Sequence, residues 1–143
     1  MSKQVILNSY ISWAGTDRSD QFTSFDIMSE RSALDASVFG DKTEKIEVGT
    51  FKNSLKAKLR PDANWTFLSI LMTEYAAGAN VAVIYRASSA VKATSNPELT
   101  FSVMLNKAPR VGGERNTLLE TDLDVTINTK IVYDYSTTTV DLG

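Results

Sequence analysis

The sequence predicts a mainly β protein, an antiparallel β-sandwich or rolled sheet with one flanking α-helix. Three observations carry this. Only Pro61 to Gly78, PDANWTFLSILMTEYAAG, keeps an apolar period near 3.6. Strand-like segments lie on both sides of it in chain order. The clearest of them, Thr117 to Asn128, alternates: Leu119, Thr121, Leu123, Val125 and Ile127 share one face, and Leu118, Glu120, Asp122, Asp124 and Thr126 the other.

The helix is marked at both ends. Pro61 and Asp62 suit a first turn, Asn64 an N-cap and Gly78 the position just past the end. At about 100° per residue, Trp65, Phe67, Leu68, Leu71, Met72, Tyr75 and Ala76 fall on one side, opposite Thr66, Ser69 and Thr73. This wide arc suits a helix laid on a sheet. Ile70, outside the arc, raises contact with a neighbouring chain as a second reading.

Taken in order, Val5 to Leu7 reads as an edge strand or docking arm, Ser9 to Trp13 as a strand and Ala14 to Asp17 as a turn. Gln21 to Met28 is a strand with Phe25 and Ile27 opposite Asp26. Ala33 to Gly40 reads as loop, and Glu44 to Val48 as a half-buried strand. Thr50 to Leu59 is ambiguous, since Phe51, Leu55 and Leu59 recur by four while Leu55, Ala57 and Leu59 recur by two. The strand reading is adopted because a strand leading into the helix makes a compact unit. Val81 to Arg86 reads as a central strand covered on both faces, and Leu99 to Asn106 as an alternating strand. Two loops are expected: Ala87 to Glu98, of a length that is usually functional or mobile, and Lys107 to Asn116. Ile131 to Tyr135 is expected to pair with the Thr117 to Asn128 strand as a hairpin across Asn128-Thr129-Lys130. The polar tail Ser136 to Gly143 is expected to stay outside the core and, with residues 1–10, to form a possible arm.

The 143 residues suit a single domain spanning 1–143, which buries roughly two-thirds of its unfolded surface. No apolar run reaches the ~18 residues of a membrane span, and the N-terminal MSKQVILNSYISW lacks the apolar core of a secretory signal. No membrane partner and a cytoplasmic origin are therefore expected. The absence of Cys and His excludes disulfides, thiolate nucleophiles, Cys/His zinc sites and Ser-His or Cys-His catalytic arrangements. No cofactor and no metal site are expected. A net charge of −2 with interspersed signs argues against tight nucleic-acid binding.

Glu120, Asp122 and Asp124 form an acidic ladder on one strand face. It reads as an ordinary solvated face, as crowded catalytic carboxylates, or as a negative wall past which a polyanion slides without adsorbing. The Arg110, Gly112, Gly113, Arg115 loop matches no phosphate-binding spacing and precedes no helix. Lys92 is a lone charge, and Trp13 and Trp65 read as core or interface anchors.

The segment Leu34-Asp35-Ala36-Ser37-Val38-Phe39-Gly40-Asp41, then Glu44 and the charged strand to Gly49, resembles part of the major tail tube proteins of long-tailed bacteriophages. The order of the later segments is similar too: one helix, a strand, a polar loop ending Asn96-Pro97 before Phe101, then Gly112-Gly113-Glu114 leading into a long strand. The likeness spans about Ile11 to Tyr135 and lies in pattern and order. It implies a β-sandwich with a flanking helix, copies of which form hexameric rings. These stack into a tube whose strand-lined channel carries genomic DNA. It implies a structural virion protein of the tail, assembled in the host cytoplasm, with no enzymatic activity. Its partners would be itself and other tail proteins such as the tape measure, terminator and distal tail proteins, with DNA passing without tight binding. On this reading Glu120, Asp122 and Asp124 face the lumen. Trp65, Leu68, Ile70, Met72, Val38 and Phe39 are candidates for subunit interfaces, and Asp41, Lys42, Ser89, Lys92 and Asn96 for inter-ring loops. A tail terminator or head–tail joining ring is the alternative within the same world. A small carboxylate-dependent enzyme or a ligand-binding β-barrel is the alternative of another class.

Overall fold

The computed structural model describes residues 8–38, 40, 42–43, 45–112 and 114–143, so the Val5 to Leu7 run, Phe39, Asp41, Glu44 and Gly113 lie outside the described residues. The described residues form β1 (Tyr10–Trp13), β2 (Thr16–Asp17), β3 (Phe22–Asp35), β4 (Ile46–Leu59), α1 (Thr66–Ala77), β5 (Asn80–Arg86), β6 (Glu98–Met104), β7 (Arg110–Gly112), β8 (Glu120–Ile127), β9 (Ile131–Asp134) and β10 (Thr139–Leu142). Neighbouring strands pair antiparallel in the order β2-β1-β5-β6-β8-β4-β3, with β7 beside β8, β9 beside β6 and β10 beside β9.

This sheet curls until its ends meet. Phe25 of β3 stacks on Tyr85 of β5 at 5.0 Å between ring centroids, and Phe22 lies 6.5 Å from Trp13 of β1. The core fills the space between the two layers, with Leu55, Leu59, Leu123 and Val125 from β4 and β8 against Val83, Phe101 and Val103 from β5 and β6. Helix α1 seals the open side. Phe67 sets its ring 5.7 Å from Trp13 and 5.6 Å from Phe22, and Leu68 and Leu71 are buried beside it.

The helix begins later than expected. Asn64 does not cap it; Trp65, in a left-handed conformation at φ 55°, holds the N-cap position. The orphan Thr66 N–H is satisfied by the Asp62 carboxylate at 2.9 Å, so the first turn is capped by the acid that precedes it. Gly78 ends the helix as expected at φ 64°, where a Cβ is disfavoured. Only part of the wide apolar arc is buried: Phe67, Leu68 and Leu71 are, whereas Trp65, Tyr75 and Ala76 are exposed.

Several strands differ from the sequence reading. Ala33 to Asp35 belong to β3 and not to a loop, and β4 runs unbroken from Ile46 as its partner, so the two form a 14-by-14-residue hairpin. The expected half-burial of Glu44 to Val48 fails, because Ile46 and Val48 are exposed. Thr50 to Leu59 is a strand, as its period of two required, with Leu55, Ala57 and Leu59 buried and Lys56 and Lys58 out. β5 is fully covered on one face, through Val81 and Val83, and only partly on the other, where Ala82 is exposed and Ile84 half-buried. The second loop contains β7. β9 does not fold back on β8. With no glycine in residues 128–130, the chain makes no tight reversal and runs on alongside β6, held where the Asn128 N–H donates to the Ser102 carbonyl and the Ser102 N–H to Thr129 Oγ1. The tail also joins the fold: β10 pairs with β9, Leu142 packs on the core and its carbonyl accepts from Asn53 Nδ2 at 2.9 Å.

Candidate assembly surfaces

The acidic ladder sits as its alternation required, with Glu120, Asp122 and Asp124 exposed and Thr121, Leu123, Val125 and Ile127 buried. Its surroundings differ from the sequence reading. Register places Lys58 of β4 directly across from Asp122, and Lys56 across from Asp124. On the other side of β4, Asp26 of β3 stands opposite Lys56 and Glu30 opposite Lys52. Arg110 of β7 stands opposite Asp122 on the far side of β8. Shallow grooves bring these columns together; one is lined by Asp26, Lys56, Lys58, Asp122 and Asp124. The face is therefore striped: acidic β3, basic β4, acidic β8, basic β7. Five carboxylates meet four cations there, so it is not the uniformly negative wall that the ladder alone suggested. Charges two apart on separate strands were readable, but which strands neighbour one another was not.

The second surface is the distal half of the β3–β4 hairpin. β8 supports β4 only from Ser54 to Leu59, so beyond Asn53 the hairpin is a two-stranded ribbon. A bulge sets its faces. Between the Arg31–Phe51 and Ala33–Val48 pairs β4 has one residue more than β3, which shifts the β4 alternation by one. Val48 and Ile46 thereby continue the core-side face of Phe51 and Leu55 past the end of the core. A Cβ at Gly49 of this bulge would force the Ser32 hydroxyl to rotate away and would crowd the Ser32 carbonyl, so the glycine eases the close approach of the two strands. Arg31 braces the turn: its Nε–H donates to the Gly49 carbonyl at 2.8 Å and its guanidinium lies 4.6 Å over the Phe51 ring. The ribbon exposes Leu34 at 53%, Ile46 at 61% and Val48 at 58%. Asp35 near the tip accepts from the Ser37 N–H, which holds its carboxyl below the usual range.

Of the remaining candidates, Val38 and Lys42, between β3 and β4, are exposed, while Phe39 and Asp41 lie outside the described residues. Trp65 is exposed, Ile70 and Met72 are half-buried, and Leu68 is buried within its own subunit and has no surface left for another chain. In the loop after β5, Ser89 is exposed but Asn96 is buried. Its Nδ2 donates to the carbonyls of Ser88, Ala90 and Val91, and its Oδ1 accepts from the Ser88 N–H, so it is the loop's internal pin. Lys92 is not a lone charge: it pairs with Asp134 at 2.7 Å, raising its own pKa and lowering the carboxyl's. Trp13 is a core residue whose Nε1–H donates to the Glu74 carboxylate at 3.1 Å. Burial holds that carboxylate above its ordinary pKa, partly offset by this bond. A cleft of about 610 Å³ opens where β1 and β3 approach without pairing, lined by Ser9, Ile11, Phe22, Phe25, Asp26 and Tyr85 among others.

No protein-family model matches the chain, and no curated protein matches it in sequence. Solved structures do match in fold. A chain from the virion of a native gene transfer agent particle superposes with a TM-score of 0.71 at 10% identity, covering 92% of this chain and 98% of the other. A chain from the tail of an empty gene transfer agent particle with C6 symmetry gives 0.69 at 10% identity, with the same 92% and 98% coverage. The SPP1 tail tube gives 0.66 at 6% identity, covering 94% of this chain and 77% of that one. The curled antiparallel sheet with its single helix is thus the fold of phage-type tail tube structures.

Proposed function

We propose that this chain is a structural virion subunit that associates with copies of itself into hexameric rings, stacked as a tail tube through which a genome passes. The observation that carries this is the whole-length fold match to a chain of a C6-symmetric tail, in which 98% of that chain is covered. The uncovered ribbon supports it: a two-stranded hairpin with apolar side chains on display is marginal by itself and gains stability when another chain covers it. The striped face is the natural channel lining, with Glu120, Asp122, Asp124, Lys56 and Lys58 toward the hole. Its near balance of charge gives a polyanion neither strong adsorption nor strong repulsion. Contacts with tape measure, terminator and distal tail proteins accompany the same role, as does assembly in the host cytoplasm. Electron microscopy of the purified protein across a concentration series tests the reading. Stacked-ring tubes are expected; isolated rings that do not stack would favour a terminator or joining role, and monomers at every concentration would overturn it.

A further inference from the structure

We infer that β10 is a strap that holds the ribbon off the body of its own subunit, because it fills the stretch of sheet edge along which β4 would otherwise continue. The inference rests on the ring-forming reading above for what the ribbon does, and adds how the ribbon is kept available. β8 and β9 lie along one edge of β6, with Ile127 opposite Val103 and Val132 opposite Thr100. Between these pairs the four residues 128–131 face only the two residues 101–102, so β8 and β9 are one bent strand with two extra residues at the bend. The other edge of this bent strand carries β4 as far as the Ser54–Thr126 pair, and β10 from the Ile131–Leu142 pair onward. β4 and β10 therefore share that edge and meet end to end at the bend.

The meeting point is closed. Asn53, the first residue of β4 beyond β8, is buried; its Nδ2 donates to the Leu142 carbonyl at 2.9 Å and its Oδ1 accepts from the Ser29 hydroxyl at 2.6 Å. Gly143 beside it sits at φ 126°, and a Cβ there would come within 3.2 Å of the Lys130 backbone. With this position taken, β4 leaves the sheet and runs on with β3 alone. The face it exposes is in phase with the core: Val48 and Ile46 continue the side of Phe51 and Leu55, and at the bend that side is filled by Leu142 instead. An undocked β10 would leave the β9 edge bare. Bare edges are templates for strand pairing, and β4, anchored at Ser54, is the segment of the chain placed to take it. Folded back there, the ribbon would cover Ile46 and Val48 with its own subunit and withdraw them from any neighbour. The strap is short and light: four residues, with Val140 46% exposed and Asp141 paired to Lys130 at 3.0 Å in solvent.

A full-length variant with Leu142→Ala, Val132→Cys and Asp141→Cys tests this in both directions. The protein has no cysteine of its own, and Val132 and Asp141 are directly opposite, at the separation a disulfide spans. Oxidised, the strap is fastened; reduced, it has lost its apolar anchor and its ion pair. If the folded-back form then holds about nine subunits in ten, the competent fraction is about a tenth, so tubes need about tenfold more protein, and the amides of residues 46–52 exchange about tenfold more slowly in the monomer. The oxidised form should match wild type in both. A loosened strand with no such role would leave the ribbon's exchange unchanged or faster. That result, or a reduced form that assembles like the oxidised one, overturns the inference. If the reduced form does not fold by circular dichroism, the variant that keeps Leu142 decides by the same readouts. If wild type forms no tubes at all the proposed function fails, while the exchange rates of the monomer still decide the strap.

Discussion

Replacing Ile46 and Val48 with threonine separates the role of the ribbon in assembly from any role in folding. Threonine keeps the β-branch, so the strand preference is retained. Both side chains are more than half exposed in the subunit, at 61% and 58%. Fully burying such a side chain is worth about 1.5–3 kcal/mol, so each has roughly 1–2 kcal/mol left to gain from a covering chain. Losing both therefore weakens each ribbon contact by about 2–4 kcal/mol. At about 1.4 kcal/mol per tenfold, the critical concentration for tubes rises about 30- to 700-fold. Subunit stability should change by no more than about 0.5 kcal/mol, as for other surface substitutions. Light scattering against concentration measures the first quantity and thermal unfolding at low concentration the second. An unchanged critical concentration refutes the reasoning, as does a loss of subunit stability comparable to the loss of assembly.

Leu123→Ala acts on the other side of the same strand as the acidic ladder: it empties a core position and should lower unfolding stability by about 2–5 kcal/mol in a denaturant titration. Asn96→Ala removes the pin of the loop after β5 and should cost about 1–3 kcal/mol, with amide exchange accelerated at residues 88–93 while β6 stays protected. Glu74→Gln keeps an acceptor for Trp13 Nε1 and removes a partly buried charge. Because the native carboxyl sits above its ordinary 4.5, the native state binds the proton more tightly than the unfolded chain. That contribution is complete below about pH 4.5 and is lost as pH rises through the raised value. The stability of the variant relative to wild type should therefore improve from pH 4 to pH 7; a relative loss over that interval would refute it.

The legible part of the sequence was its local periodicity. The alternation of Thr121 to Ile127, the period of two at Leu55, Ala57 and Leu59, and the glycine end of the helix needed nothing beyond neighbours in the chain. The illegible part depended on partners distant in sequence. Lys56 and Lys58 could not be set against Asp124 and Asp122 until the β4–β8 pairing was known, so a mixed face read as an acidic one. Gly49 inside a strand pattern hints at a bulge, but not at the one-residue shift of register that decides which face Val48 and Ile46 occupy. β9 looked like a hairpin return because adjacent strands usually pair, whereas Asn128 and Thr129 bond to Ser102 and carry the chain onward. Asn96 read as a polar loop residue, since nothing nearby announces the three carbonyls it gathers.

A cryo-electron microscopy reconstruction of the assembled protein tests the central claim most directly. The account predicts a continuous hole lined by β3, β4, β8 and β7, with Asp122, Asp124, Lys56 and Lys58 pointing into it and the ribbon covered by an adjacent copy. A reconstruction that turns those side chains to the outer surface, or leaves the ribbon in solvent, would contradict it.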